Sequence, residues 1–496
     1  MNQENDQKAG TSPGGILNPG LNIIPPHVHR VHLMGVCGTG MASLAGLLKG
    51  MGFLVTGSDR NVYPPMSDFL RTLGIPILEG YQAENLSSRP DLVIVGNVIT
   101  RDNPEAVELA RLGIPYQSMP QALRRYAIGD SRSIAVCGTH GKTTTSSLAA
   151  WVLEKAGLDP GFMIGGIPAN FQANFKQGRG EVFVVEGDEY DTAFFDKGPK
   201  FLHYAPWIAV LTGIEYDHAD IYRDLDHVLS SFRALISTLP RDGLLIANAD
   251  DPRVAEEVGG APCQVVTYGL ENQADWTLSN VSTADALTHA DLHAPGGETI
   301  HIATPLYGGH NLSNLLAVSA VAGRLKIPAR ALQEACLTFA GVRRRQEVRG
   351  EAGGVLVIDD FAHHPTAVRE TIRAVRERYA GRRILAVFEP RSNSSRRNIF
   401  QKDYAGAFDH AHLAFIAEPP LMDKIPPPER FSSGALVEDL SMRGIEAYYG
   451  GGADSLLEEI AQRALPGDVV LVMSNGSFDN LHERLLKRLE HVIIHP

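Results

Sequence analysis

Short, continuous apolar runs recur along this chain, each followed by a turn and then by a stretch with helical spacing. The first run covers residues 31–36 and passes through Gly35, Gly38 and Gly40 into a helical pattern over 41–51. A second run at 53–57 ends at Ser58-Asp59, and a third lies at 91–95. Short apolar runs bounded by turns read as strands covered on both faces, as parallel sheets require. A helix over 103–112 and a short segment near 114–116 complete this unit, with a boundary expected near Gly129-Asp130-Ser131.

The same grammar then restarts. The spacing predicts a strand over 133–136, a glycine loop over 137–142 and a helix over 143–156, with further strands at 182–185, 207–212 and 244–247. Residues 263–306 alternate Thr, Val and His in short stretches, which predicts antiparallel strands at the edge of this unit. A helix is expected over 311–325, and the Arg-rich segment 341–345 reads as a hinge. A third unit carries strands at 355–358, 384–388, 413–416 and 469–473 with helices between them. The expectation is an α/β protein whose parallel sheets belong to three domains, 29–129, 130–345 and 346–496. Residues 1–28 are rich in Asn, Gln, Gly and Pro and read as a flexible leader, with a docked extension as the alternative.

Composition narrows the function. The 496 residues are 44% hydrophobic and 21% charged, ordinary values for a globular protein. A net charge of −12 argues against nonspecific nucleic-acid binding and against an anionic membrane surface. It leaves room for anionic ligands, because a local glycine loop binds phosphate inside an acidic protein. Cys37, Cys137, Cys263 and Cys336 form no metal-ligand spacing, and a reduced cytoplasmic interior fits them. No run of 18 apolar residues is present, so no transmembrane helix is expected.

The chemistry concentrates in the central unit. Gly138-Thr139-His140-Gly141-Lys142-Thr143-Thr144 joins a strand to a helix. Backbone N–H groups at such a helix start attract phosphate, Lys142 can reach terminal phosphates, and Thr143 can hold Mg²⁺. The bland alternative is a glycine turn with an exposed lysine. The general phosphate loop would place its first glycine at position 136, which is Val136 here. Two further strands end in acids, at Glu186-Gly187-Asp188-Glu189 and at Glu215-Tyr216-Asp217-His218. Carboxylates at strand tips suit a hard cation, although a solvated acidic turn has the same composition. The first unit repeats the strand–glycine–helix theme at Gly38-Thr39-Gly40-Met41, with Asp59 on the next strand tip. Its Gly35-x-x-Gly38-x-Gly40 spacing differs from the G-x-G-x-x-G of dinucleotide dehydrogenases.

The short G-T-x-G-K-T-T form of the loop, the two acidic strand tips, Gly309-His310-Asn311-Leu312-Ser313-Asn314 and Asp359-Asp360-Phe361-Ala362-His363-His364-Pro365 together resemble the Mur ligases of bacterial cell-wall synthesis, over roughly 30–480. The resemblance implies a Rossmann-like UDP-binding domain, a P-loop ATPase central domain and a Rossmann-like C-terminal domain. It implies ATP and Mg²⁺ as cofactors, with an amide bond made through an acyl-phosphate. Carried over residue by residue, it gives Lys142, Glu186 and His218 catalytic roles, and Mg²⁺ to Thr143, Glu186 and His218. It assigns ATP to the loop residues 138–144 and to Asn311, Asn314, Arg345, Asp360 and His363. Gly38, Thr39, Gly40, Met41 and Asp59 would face the diphosphate and uridine of UDP-N-acetylmuramate. The strings Asn61-Val62-Tyr63-Pro64-Pro65-Met66-Ser67 and Phe388-Glu389-Pro390-Arg391-Ser392-Asn393 are similar to the branch of the family that takes a cell-wall peptide as its amine. That implies L-alanyl-γ-D-glutamyl-meso-diaminopimelate near Arg391, Ser392 and Asn393, with L-alanine as the alternative amine. Gly198-Pro199 departs from that branch, where a basic residue is common.

Overall fold

A computed structural model of the chain describes residue 17 and residues 22–492. Most of the leader expected over 1–28 lies outside the described residues. Within its described part, Asn22 pairs its side-chain amide with both backbone groups of Tyr116, accepting from the N–H at 3.0 Å.

Three parallel-type sheets follow one another along the chain. In the first, Arg30–Met34 is central, with Leu54–Asp59 and Ile77–Glu79 on one side and Leu92–Val95 and Tyr116–Ser118 on the other, all parallel. Strand order reverses between Arg30–Met34 and Leu92–Val95, so the Gly35–Gly40 turn opens at the crevice where open α/β sheets bind ligands. Helix Thr39–Gly50 buries one continuous stretch from Met41 to Leu48. Helix Pro104–Leu112 begins one residue later than its sequence pattern, because Asn103 caps it by accepting the Glu105 N–H at 2.9 Å.

The central sheet places Arg132–Cys137 between Val182–Gly187 and Ile208–Leu211, all parallel. Val136 is in register with Glu186, and Cys137 with Leu211, so three strand tips share one edge. The expectation for 263–306 needs one correction. Gln264–Tyr268 adds to the central sheet in parallel with Leu244–Asn248, and only Thr277–Ala284, Leu287–His293 and Thr299–Thr304 form an antiparallel sheet. Alternation misleads there because both kinds of strand are half-covered; Leu287–His293 buries every second residue. The hairpin Asp191–Ala193 with Asp196–Pro199 was not foreseen, since its strands are short and polar.

The third sheet runs Glu347–Ala352, Val355–Asp360, Val469–Met473, Ile384–Phe388, Leu413–Ala417 and Glu446–Gly450. Its first strand is antiparallel to the second, an edge that the sequence hides behind polar residues.

The seams between domains differ. The first and central domains share one apolar core, in which Leu44 and Leu48 belong with Phe183 and Tyr204. Gly46 lies so close to Phe175 that a Cβ there would come within 2.5 Å of the ring. The third domain keeps its own cores, against one of which Tyr216 and Tyr307 of the central domain pack, and it adds polar contacts, among them Asn393 Nδ2 to Asp220 Oδ2 at 2.7 Å.

Candidate active site

The phosphate loop is held by its surroundings. Gly138 adopts φ +126°, and a Cβ there would lie 2.3 Å from Thr212 Oγ1 and 2.8 Å from the Gly213 carbonyl oxygen. Gly141 adopts φ +78° beneath Asn314, whose Oδ1 would be 2.4 Å from an added Cβ. Glycine is required at both positions for space as well as conformation. Helix Lys142–Lys155 starts here, and its first N–H bonded back along the chain is that of Thr145, to Gly141 at 3.0 Å. The N–H groups before it face the cavity, the arrangement that binds anions.

Lys142 Nζ sits 2.6 Å from the Gly138 carbonyl and 2.8 Å from Glu189 Oε2. Burial pulls the ammonium down, but Glu189 and Asp188 more than offset it, and the group stays charged. Glu189 is itself held down to about 2: burial raises it, and Lys142 and His218 outweigh that. His218 Nε2 lies 2.9 Å from Glu189 Oε1, and the residue adopts φ +55°, a strained backbone that its contacts must maintain. Lys142, Glu189 and His218 thus form a chain in which one carboxylate serves two cations. Glu189 is the functional residue that sequence reasoning quoted in its acidic string without a role.

Glu186 stands apart from that chain. Its Oε1 accepts from Thr143 Oγ1 at 2.8 Å and its Oε2 from the Gly165 N–H at 2.6 Å. Burial and the neighbouring Asp188 raise its carboxyl above the usual range, against the opposing pull of Lys142. The 2.8 Å spacing of two hard oxygens matches the ligand–ligand edge of about 2.9 Å in an octahedron with Mg–O bonds near 2.1 Å. Thr143 and Glu186 therefore fit Mg²⁺, and His218, held by Glu189 in this structure, lines the same cavity.

Third-domain residues close the cavity, which has a volume of about 660 Å³. Arg345 donates to Thr143 Oγ1 at 3.2 Å and stacks on Phe361, 4.9 Å from the ring centre. Asn311 Nδ2 donates to the Gln346 side chain at 2.9 Å, and Asn314 reaches Asn311 at 3.4 Å. Asp360 uses both oxygens on backbone N–H groups, Gln346 and Ala362, each at 2.7 Å. His363 holds the Phe361 carbonyl at 3.0 Å, and burial keeps its pKa below the ordinary value. Gln346 links Asn311 and Asn314 to Asp360, and its position beside Arg345 was the available signal for it.

The remaining assigned residues lie elsewhere. In the first domain, Gly38 caps helix Thr39–Gly50, and Ala42 makes the first bond back along it, at 2.8 Å. The N–H groups of Thr39, Gly40 and Met41 precede that bond. Asp59 spends its oxygens on the Cys37 and Asn61 N–H groups, at 2.8 and 2.9 Å, so it shapes the turn. In the third domain, Arg391 pairs with Glu389 at 3.2 Å and Ser392 bonds Ser395 at 2.9 Å. Asn393 is the member that reaches across, to Asp220 two residues past His218. Beside the departure at Gly198-Pro199, Lys200 Nζ reaches Asp188 Oδ2 at 3.3 Å and Lys197 reaches Asp191 at 3.0 Å, so cations flank the hairpin strand. A separate, open cavity of about 830 Å³ between Tyr116, Arg124, Arg125 and Lys197 touches none of the phosphate-loop residues.

Comparison with known proteins agrees with this geometry. Residues 30–130 match a model described as Mur ligase family, catalytic domain; 136–322 match the Mur ligase middle domain; and 344–476 match the Mur ligase, glutamate ligase domain. The chain is 40% identical over 461 residues to the UDP-N-acetylmuramate–L-alanyl-gamma-D-glutamyl-meso-2,6-diaminoheptandioate ligase of Escherichia coli, covering 93% of this chain and 98% of that one. It is 34% identical over 464 residues to the UDP-N-acetylmuramate–L-alanine ligase of Pelotomaculum thermopropionicum, covering 93% and 98%. A crystal structure of a murein peptide ligase from Psychrobacter arcticus superposes with a TM-score of 0.70 at 33% identity, covering 94% of this chain and 99% of that one.

Proposed function

The chain belongs to the Mur ligase family, and from that premise we propose that it is an ATP-dependent, ADP-forming ligase. It joins the carboxylate of UDP-N-acetylmuramate to the free amine of L-alanyl-γ-D-glutamyl-meso-diaminopimelate. The observation that carries this substrate assignment is the 40% identity to the E. coli ligase of that name, against 34% to the alanine ligase. The domain roles follow: 29–129 for the UDP-sugar, 130–345 for ATP, and 346–496 for the amine.

ATP enters the cavity with its phosphates on the free N–H groups of the loop, and Lys142 exchanges part of its contact with Glu189 for the γ-phosphate. Thr143, Glu186 and His218 are the residues we assign to Mg²⁺, which when bound neutralises charge on the transferring phosphate. The muramate carboxylate attacks the γ-phosphorus and ADP leaves. The peptide amine then attacks the acyl carbon and phosphate leaves, the nitrogen losing its proton. Arg345, Asp360 and His363 bring the third domain onto the nucleotide, which excludes water from the acyl-phosphate. Arg391, Ser392 and Asn393 receive the peptide, and the bond from Asn393 to Asp220 ties this segment to the central domain. Among the described residues no helix is long and apolar enough to cross a membrane. The four free thiols favour a reducing compartment, and we place the chain in the cytoplasm.

The test is the initial rate of ADP release with UDP-N-acetylmuramate and either amine at equal concentration. The tripeptide should be used faster. Faster use of L-alanine would make the chain an alanine ligase.

A further inference from the structure

Three side chains that the transfer chemistry does not use meet where the third domain touches the phosphate loop. His140 lies in the loop, Glu215 follows strand Ile208–Leu211, and His364 caps helix Pro365–Arg378. Glu215 Oε2 is 3.1 Å from His140 Nε2 and 3.3 Å from His364 Nδ1. One ligand atom from each of the three lies within 4.8 Å of the others. Arg253 approaches the other oxygen, Oε1, at 3.6 Å, which leaves Oε2 to the histidines.

Both ring nitrogens of His364 are engaged. Its Nε2 faces the Tyr216 carbonyl at 3.3 Å, which requires the proton on Nε2. Its Nδ1 already accepts the Thr366 N–H at 3.3 Å as the helix cap. Burial, with help from His140, holds this ring down to about 4. Glu215 is held down to about 2; burial raises it, and His140 and His364 outweigh that. A cation at Nδ1 would take the lone pair that now accepts the long Thr366 N–H contact. In a tetrahedral zinc site with bonds of about 2.0–2.1 Å, neighbouring ligand atoms are about 3.3 Å apart. The observed 3.1 and 3.3 Å separations match that edge. A ring nitrogen fixed on a backbone carbonyl while the other faces the metal is the usual outer support of a histidine ligand.

We propose that His140, Glu215 and His364 bind a borderline divalent transition cation, Zn²⁺, at a site separate from the Mg²⁺ donors. Two imidazoles and one carboxylate are a zinc donor set, with a fourth position left for water, whereas Mg²⁺ takes oxygen ligands. The ion would tie the phosphate loop to the first helix of the third domain.

The test uses the whole chain stripped of metal, titrated with Zn²⁺ alone by calorimetry, and with Co²⁺ to read coordination from visible absorption. The wild type and Glu186→Gln should each bind one Zn²⁺ at this site, with the strong visible bands of tetrahedral Co²⁺. Glu215→Gln and His364→Asn should bind at least tenfold more weakly; asparagine can still cap the helix, which keeps the second variant folded. Melting curves without metal verify the fold of each variant. Wild-type affinity in folded Glu215→Gln and His364→Asn, loss of binding in Glu186→Gln, or no zinc uptake by the wild type would each overturn the proposal. None of these readouts depends on which amine the enzyme ligates.

Discussion

The turn after Val36 and the turn after Val136 share the string Val-Cys-Gly-Thr, and each opens a helix at the tip of a central parallel strand. Their surroundings differ. Gly38 has φ −68°, lies exposed, and has only the Gly35 carbonyl, at 3.6 Å, near an added Cβ. Gly138 and Gly141 are clamped by Thr212, Gly213 and Asn314, and the loop carries a lysine whose charge is matched by Glu189. The first turn offers free N–H groups and little else, which would suffice for the unreactive diphosphate we propose for it. The second fixes its dipoles and charges before the substrate arrives, which is what lowers the barrier for a phosphate that does.

The sharpest way to break this contrast is Lys142→Ala. Loss of a preorganised charge at the reacting phosphate should lower the ligation rate by about 10²–10³-fold or more while the fold survives. A folded variant with near-normal ADP release would refute the assignment. Glu186→Gln and His218→Ala should each raise the Mg²⁺ concentration needed for half-maximal rate. An unchanged Mg²⁺ titration in both would mean that other residues hold the ion. Arg391→Ala should reduce kcat/KM for the tripeptide by about 1.5–3 kcal/mol, the range for a hydrogen bond to a charged group. Because Arg391 is partly exposed and paired with Glu389, the lower end is expected. Equal kcat/KM in variant and wild type would remove it from the amine site. The smallest effect separates the two turns directly. Gly138→Ala should cost about 1–3 kcal/mol of stability, and Gly38→Ala less than about 0.5 kcal/mol. Equal shifts in Tm would erase the contrast.

Residues 138–144 were legible because they are covalent neighbours, so spacing alone shows a phosphate loop. Glu186 was legible as a strand-tip residue, since parallel strands bring their tips to one edge, whereas His218 lies in the loop beyond the end of Ile208–Leu211. Which acid turns toward Lys142 was not legible: spacing treats Asp188 and Glu189 alike, and burial singles out Glu189. Asp59 was legible as the end of a strand, and spacing did not show that its oxygens also accept the Cys37 and Asn61 N–H groups of the turn beside it. Contacts such as Asn393 to Asp220 and His364 to Glu215 join segments brought together only when the third domain docks, and no local pattern encodes that docking.

The central claim is that phosphate passes from the clamped loop to a carboxylate delivered by the open one. It is tested most directly with UDP-N-acetylmuramate carrying heavy oxygen in its carboxylate, ATP, Mg²⁺ and the tripeptide, with the released phosphate analysed by mass spectrometry. Transfer through an acyl-phosphate places one carboxylate oxygen in the phosphate for each amide bond formed. Amide formation with unlabelled phosphate would contradict the account.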